Sequence, residues 1–254
     1  MNLLERFRLD GQVAIITGAS KGIGEAIARG LAQAGAKVVV SSRKQEAVEE
    51  VADALRQEGL EATGIAAHNG DAVQLQLLVD KTLETYGRID IIVNNAATNP
   101  AFGPVVNTED SAFDKIMEVN LKGMFMLGKI AYPELKKNKG RVINISSIAG
   151  IRPDPRTGIY SVSKAAAISM TQVMARDWGR DGIRVNAICP GLVKTKMSEA
   201  LWKNEGIYNM VLQNIPLHRM AEPEEMAGLA LFLASEASSY CTGASFVADG
   251  GMII

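Results

Sequence analysis

The sequence predicts an α/β fold, a doubly wound parallel sheet of about seven strands with helices on both faces, and three observations carry that expectation. Short β-branched runs recur along all 254 residues. Segments with apolar residues at helical spacing separate them. The runs are apolar over most of their length rather than alternating, as strands covered on both faces require.

In order, the strand runs are Val13 to Thr17, Lys37 to Ser41, Ala62 to Ala67, Ile89 to Asn94, Arg141 to Ser146, Ile183 to Ile188 and Ala244 to Ala248. Each is short and rich in residues that suit a pleated, buried surface. Between the first two, Ile23, Ile27 and Leu31 share a helix face; after the third, Leu75, Leu78, Val79 and Leu83 do the same. No linker of proline, serine or like charges breaks the alternation and no repeat is found, so residues 1–254 are expected to form a single domain. Only 192–220 departs from the rhythm, with Met197, Leu201, Trp202, Ile207, Met210 and Leu212 but no strand. Open α/β sheets bind ligands beyond the carboxyl ends of their strands, so this segment is expected to be a substrate lid, with a peripheral helix pair as the alternative.

Composition narrows the function classes. Apolar residues make up 47% and charged residues 22%, enough to bury one sizeable core. A net charge of -1 supplies no field to gather nucleic acid or anionic lipid, leaving a small molecule as the expected partner. Cys189 and Cys241 stand far apart, without a disulfide framework or a CxxC motif, which suits a cytoplasmic location. No run reaches the roughly 18 apolar residues of a membrane span, and the end GGMII matches no peroxisomal or retention signal.

The first strand runs into Thr17-Gly18-Ala19-Ser20-Lys21-Gly22-Ile23-Gly24 and then a helix. Glycines let a phosphate approach the backbone, and a helix N-terminus offers free N–H groups and the positive end of a dipole. The spacing is neither GxGxxG nor the GK[ST] of an ATP-binding loop. Taken alone, it is also compatible with a plain tight turn.

TGxxxGIG at this place resembles the cofactor loop of the short-chain dehydrogenase/reductase family. Further matches follow in the family's order: Asn94-Asn95-Ala96-Ala97, Asn120, Ser147, Tyr160-Ser-Val-Ser-Lys164, and Pro190-Gly191 with Thr195. The likeness spans nearly the whole chain and implies a Rossmann-like fold. SSRKQE, NAATNPAFG and PGLVKTKMS followed by Leu-Trp are similar to the NADPH-dependent carbonyl and retinal reductase branch. Two departures are Ala97, where the family's motif ends in glycine, and His68, where it usually has an acidic residue near adenine. A lone histidine is as readily a loop residue satisfied by backbone.

Tyr160 and Lys164 are four apart and share a helix face. A phenol with pKa near ~10 needs its anion stabilised by roughly 4 kcal/mol to act as a base at neutral pH, and an ammonium supplies the right sign of field. The resemblance implies that Tyr160 passes a proton to the nascent alkoxide as hydride arrives, that Lys164 also grips the nicotinamide ribose, and that Asn120 holds a water that relays protons to it. Ser147, at a strand end, is positioned to hydrogen-bond the substrate oxygen, with Ser146 turned inward as the plainer alternative. With no GxSxG and only His68 and His218, a serine hydrolase is set aside, and metal chemistry finds no ligand set.

A site preferring NAD ends its second strand in a carboxylate for the ribose hydroxyl. Here the strand ends Val40-Ser41-Ser42-Arg43-Lys44, so NADP is expected, NAD less so, with Arg43 and Lys21 on the 2′-phosphate. The expected cofactor contacts are Gly18, Ser20, Lys21, Gly22, Ile23, Gly24, Ser42, Arg43, His68, Asn69, Asn95, Ala96, Tyr160, Lys164, Val193 and Thr195. Thr195, by resemblance, meets the nicotinamide carboxamide. Ser147 and Tyr160 meet the substrate, within walls from Asn99, Phe102, Arg152, Leu192, Met197, Leu201 and Trp202 that are mostly apolar and suit a ketone or aldehyde.

Two other substrate classes are 3-oxoacyl thioesters, for whose carrier Lys194, Lys196 and Lys203 would offer a basic surface, and sugars or polyols. A non-catalytic NADP sensor on the same fold is the alternative of a different class. The family commonly forms tetramers or dimers, which makes a homo-oligomer, with the tetramer favoured, the expected assembly. Met124, Phe125, Met126, Met170 and Met174 fit either such a face or the core.

Overall fold

The runs Val13–Thr17, Ile91–Asn94 and Arg141–Ile145 are buried at every position, the state that strands apolar over most of their length reach in a sheet covered on both faces. They are β1, β4 and β5 of a seven-stranded sheet completed by β2 (Lys37–Ser42), β3 (Ala62–Ala66), β6 (Arg184–Pro190) and β7 (Ser245–Ala248). In the computed structural model, which describes residues 2–154 and 156–254, the strand order is β3-β2-β1-β4-β5-β6-β7 and every neighbouring pair is parallel.

Six helices cover the sheet. α1 (Gly22–Gln33), α2 (Gln45–Gln57) and α9 (Glu224–Ala234) bury Ile27, Leu31, Val48, Leu55 and Leu233 against Ala14, Ile16, Val38 and Val40 on one face. On the other, α3 (Ala72–Tyr86), α5 (Gly123–Asn138) and α6 (Ile159–Trp178) bring Leu75, Leu78, Leu127, Leu135 and Met174 to Ile15, Val39 and Ile92. Successive strand residues feed opposite layers, so Ile15 and Ile16 belong to different cores. Strand order reverses between β1 and β4, which opens a crevice beyond their carboxyl ends.

The fourth strand starts two residues later than its apolar run suggests. Asp90 interrupts it, its carboxylate accepting the Val13 N–H at 2.8 Å and pairing with Arg88 at 2.7 Å. The sixth runs on to Pro190 because Cys189 and Pro190 pair with Val247 and Ala248 of β7. In 192–220, α7 (Glu199–Trp202) and α8 (Glu205–Leu212) form a helix pair tied to the body by an isolated bridge between Val193 and Ala221. Met197 and Met210 are exposed there.

α4 (Asp110–Met117) joins α5 through a π turn, Glu118–Lys122. Met124 and Met174 are buried and belong to the core, whereas Phe125 on the same helix is exposed together with Phe113 and Val173. Among the described residues no helix is long and apolar enough to cross a membrane, and no group of three or more His, Cys, Asp or Glu side chains is gathered as a metal ion would need.

Candidate active site

The chain leaves β1 at Thr17 and enters α1 through Gly18 (φ +64°) and Gly22 (φ +63°), both in the left-handed region that a side chain would strain. A Cβ on Gly18 would stand 2.7 Å from Ala96 Cα, and one on Gly24 would stand 2.4 Å from Asn95 Nδ2 and 2.6 Å from the Gly18 oxygen. These two glycines let the loop press against the end of β4. Gly24 is thus needed where α1 packs against Asn95 and the Gly18 oxygen.

The loop is clamped in position. The Thr17 hydroxyl accepts the N–H groups of Asn95 and Ala96, each at 3.1 Å, and Asn95 Nδ2 donates to the oxygens of Thr17 at 2.9 Å and Gly18 at 3.0 Å. Thr17 was not singled out from sequence, although a hydroxyl closing an otherwise apolar strand was the available signal. Ala97 keeps a negative φ, so its extra methyl costs nothing in backbone strain.

On α6, Tyr160 and Lys164 lie one turn apart. Lys164 Nζ donates to the Ile145 oxygen at 2.7 Å, at the end of β5, and lies 5.5 Å from the centre of the Tyr160 ring. Ser147 caps a short 3-10 turn, Ile148–Gly150, its Oγ accepting the Ala149 N–H at 3.1 Å. Its neighbour Ser146 faces inward and donates to the Lys164 carbonyl at 2.8 Å. A Cβ on Gly150 would fall 2.6 Å from the Lys164 carbonyl carbon, so this glycine permits the turn to lie on α6 and brings Ser147 to Tyr160.

Burial pushes the Tyr160 phenol up to about 12, opposed in part by the hydrogen bond with Ser147, and burial brings the Lys164 ammonium down to about 8. Both shifts follow from placing an ionisable group in a poorly solvated site. The phenol is protonated throughout the neutral range, and the lysine carries its charge at neutral pH.

Asn120 lies in the π turn rather than on a regular helix, and its side chain is fully used. It donates to the Thr98 oxygen at 3.0 Å and to Ser163 Oγ at 3.1 Å, and accepts the Thr98 N–H at 2.8 Å. This buried amide fixes the loop after β4. A second buried chain joins Asn94 Nδ2 to Asn144 Oδ1 at 2.8 Å and Asn144 Nδ2 to Thr171 Oγ1 at 2.9 Å, linking β4, β5 and α6.

One cavity of about 1180 Å³ runs along the carboxyl ends of the strands. Its wall brings together Gly18, Ser20, Lys21, Gly22 and Ile23 of the loop, Ser42 and Arg43 after β2, and His68 and Asn69 after β3. Asn95, Ala96, Ser147, Tyr160, Lys164, Val193 and Thr195 complete that side. His68 is satisfied locally, its Nδ1 accepting the Gly70 N–H at 3.0 Å and its Nε2 lying 3.0 Å from Lys115 Nζ. Arg43 is exposed and forms no ion pair among the described residues. Thr195 is held by Ser198, whose hydroxyl accepts its N–H at 3.1 Å, and by the Trp202 indole, which donates to its oxygen at 3.2 Å.

The expected substrate walls, Asn99, Phe102, Arg152, Leu192, Met197, Leu201 and Trp202, all face the same cavity. They are less apolar than the sequence suggested, because Asp154, Arg156 and Thr157 join them. Met252 and Ile253 also line it; being far from every motif, they gave no signal.

A glycine cradle at a helix N-terminus, an unpaired guanidinium after β2 and a long cavity ending at a tyrosine–lysine pair fit a dinucleotide lying across the switch point. Fold and site thus define an oxidoreductase of the dinucleotide-dependent α/β class. A family model described as enoyl-(acyl carrier protein) reductase matches residues 18–253. Dehydrogenase/reductase SDR family member 4 of Oryctolagus cuniculus is 43% identical over 96% of this chain and 94% of its own length. A gluconate 5-dehydrogenase from Burkholderia cenocepacia, solved with NADP and tartrate, superposes with a TM-score of 0.95 at 34% identity, covering 99% of this chain and 98% of that one. A 7α-hydroxysteroid dehydrogenase, complexed with NADH and 7-oxo glycochenodeoxycholic acid, gives 0.94 at 35% identity over 99% and 98%. The chain belongs to the short-chain dehydrogenase/reductase family and is an oxidoreductase of the CH–OH/C=O pair.

Proposed function

We propose that this protein reduces ketones and aldehydes with NADPH, or oxidises the corresponding alcohols with NADP, using Tyr160 as the proton carrier. The observation that supports this reading best is the single cavity joining the glycine loop and Arg43 to Ser147, Tyr160 and Lys164. The loop from Gly18 to Ile23 would hold the pyrophosphate, Arg43 and Lys21 the 2′-phosphate, and Thr195, Val193 and Lys164 the nicotinamide end. Ser42, His68, Asn69, Asn95 and Ala96 would border the adenosine and ribose. When bound there, NADPH supplies the hydride. The two structural neighbours carry NADP and NADH respectively, so the fold accepts either, and the guanidinium of Arg43 is the feature that favours NADP here.

In the reduction, Ser147 donates a hydrogen bond to the carbonyl oxygen. Tyr160, protonated in its buried site, delivers its proton to the same oxygen as negative charge develops there. The ammonium of Lys164 lowers the cost of the phenolate that remains. Asn120 acts as a positioning residue, since it fixes the loop after β4 through Thr98. Residues 192–220 would close over the substrate, with Trp202 and Ser198 coupling that lid to Thr195.

Steady-state oxidation of NADPH and NADH against ketones, aldehydes, 3-oxoacyl esters and sugars tests the reading. Consumption of NADPH with a ketone or aldehyde supports it; tight NADPH binding with no turnover on any carbonyl would favour a sensor. The pH profile carries a signed expectation. Because burial brings Lys164 down to about 8, its charge is present below that pH and lost above it, so kcat/KM for reduction should fall as pH rises through about 8. The limb should vanish in Lys164→Met, and its survival there would assign it to another group.

The exposed side chains Phe113, Phe125 and Val173 on α4, α5 and α6 suit the face of a homotetramer, and light scattering should give the mass of four chains. Cys189 and Cys241 are both unpaired, which suits the reducing cytoplasm.

A further inference from the structure

The wall of the cavity carries nine lysine and arginine side chains against four carboxylates, and although Arg29 and Lys115 are paired with Glu58 and Glu118 outside it, the balance favours an anionic occupant. The dinucleotide phosphates account for the end that holds Lys21 and Arg43. At the other end part of the charge is already matched. Arg156 forks onto Asp154 at 2.6 and 3.0 Å and Lys194 faces Glu222 at 3.7 Å, whereas Lys196 forms no ion pair among the described residues, Glu199 being held by Lys203 at 2.6 Å. Of the two guanidinium groups at this end, both exposed, Arg152 is the one that has, among the described residues, neither an ion pair nor a hydrogen bond, and it faces the same cavity as Ser147 and Tyr160.

Its backbone is fixed. The Arg152 N–H donates to the Ile148 oxygen at 2.8 Å, so Arg152 closes the turn that begins at Ser147 and projects from the element that presents the reacting hydroxyl. On the wall of the same cavity, Asn99 has a buried Oδ1 without a hydrogen-bond partner, although Asn120 holds the adjoining Thr98 at both its N–H and its oxygen. Nothing among the described residues donates to that oxygen, and a hydroxyl or other donor of a polar ligand would do so. An uncompensated guanidinium and an unsatisfied amide at the substrate end do not suit a purely apolar ketone.

We propose that the substrate is an oxo acid, or in reverse a hydroxy acid, whose carboxylate is held by Arg152 while its carbonyl oxygen lies between Ser147 and Tyr160. A planar guanidinium matches a carboxylate with two parallel hydrogen bonds. Asp154 beside it, although paired, disfavours a doubly charged phosphate, and only one free guanidinium is on offer. The reaction is the one already proposed, on which this inference rests: hydride from NADPH to the carbonyl carbon, proton from Tyr160 to its oxygen, and an unchanged carboxylate. Arg152 is a specificity residue that acts on binding and orientation.

The test is NADPH-dependent reduction of a series of oxo acids, each paired with its methyl ester, by the wild type, Arg152→Gln and Arg152→Lys. The wild type should prefer acid to ester in kcat/KM by about tenfold or more, the scale of a charge-assisted hydrogen bond. Arg152→Gln should erase that preference chiefly through KM for the acid, and Arg152→Lys should restore part of it. Equal use of acid and ester by the wild type, or an equal loss on both in Arg152→Gln, overturns the inference while leaving the carbonyl reductase reading intact. Failure of every carbonyl to consume NADPH overturns both.

Discussion

Tyr160→Phe should lower kcat for carbonyl reduction by about a thousandfold, the middle of the range for removing a general acid, while the Kd for NADPH moves by less than about threefold. The separation follows from the site. Phenylalanine keeps the ring that lies 5.5 Å from Lys164 Nζ and deletes only the hydroxyl, so the dinucleotide end of the cavity is untouched. Burial holds the phenol at about 12, and a group so reluctant to ionise is a poised donor for reduction and a costly base for oxidation. The loss should therefore appear in both directions. Stopped-flow NADPH fluorescence gives binding and turnover separately; a variant that keeps more than about a tenth of its kcat would assign the proton to another group.

Arg43→Ala should reduce the preference for NADPH over NADH by about ten- to hundredfold, the worth of one or two charge-assisted contacts to a phosphate. Arg43 is exposed and among the described residues engages no carboxylate, so its removal should leave the melting temperature unchanged, as surface substitutions usually do. The effect should sit in KM for NADPH, with NADH kinetics nearly constant. Lys21→Ala should act in the same direction and less strongly, because an ammonium is a point charge rather than a fork. Equal kinetics for the two cofactors before and after the change would remove Arg43 from the 2′-phosphate.

What could be read from the residues alone was mostly local or periodic. β1, β4 and β5 were legible because every residue in them is buried and most are therefore apolar, with Thr17, Asn94, Arg141 and Asn144 as the buried polar exceptions. The Tyr160–Lys164 pair was legible because helical spacing fixes its face. The error at β4 has a definite cause: Asp90 sits between apolar neighbours and reads as part of the strand, yet it spends its buried carboxylate on Val13 and Arg88 before the strand begins. Such partners lie in distant sequence and leave no periodic trace.

The same reason explains Asn120. A polar residue in an apolar context signalled that its amide is used, but not that the partners are Thr98, 22 residues back, and Ser163, 43 residues on. Gly24 shows a related limit, since close approach to a ligand and close approach to the fold's own backbone both call for glycine, and here Asn95 and the Gly18 oxygen lie where its side chain would be. Within 192–220 the apolar residues were visible, but half of the residues of the helix pair are exposed, so the pattern alone did not distinguish a lid from a peripheral pair. Arg156 and Asp154 neutralise each other across two positions, and only that pairing makes Arg152 stand out.

The most direct test of the account follows the hydride itself. NADPH carrying deuterium at both C4 positions, incubated with the protein and a reducible ketone, should give an alcohol with one deuterium on the carbinol carbon, and Tyr160→Phe should suppress its formation. An unlabelled alcohol, or labelled alcohol formed as fast by Tyr160→Phe as by the wild type, would contradict the account.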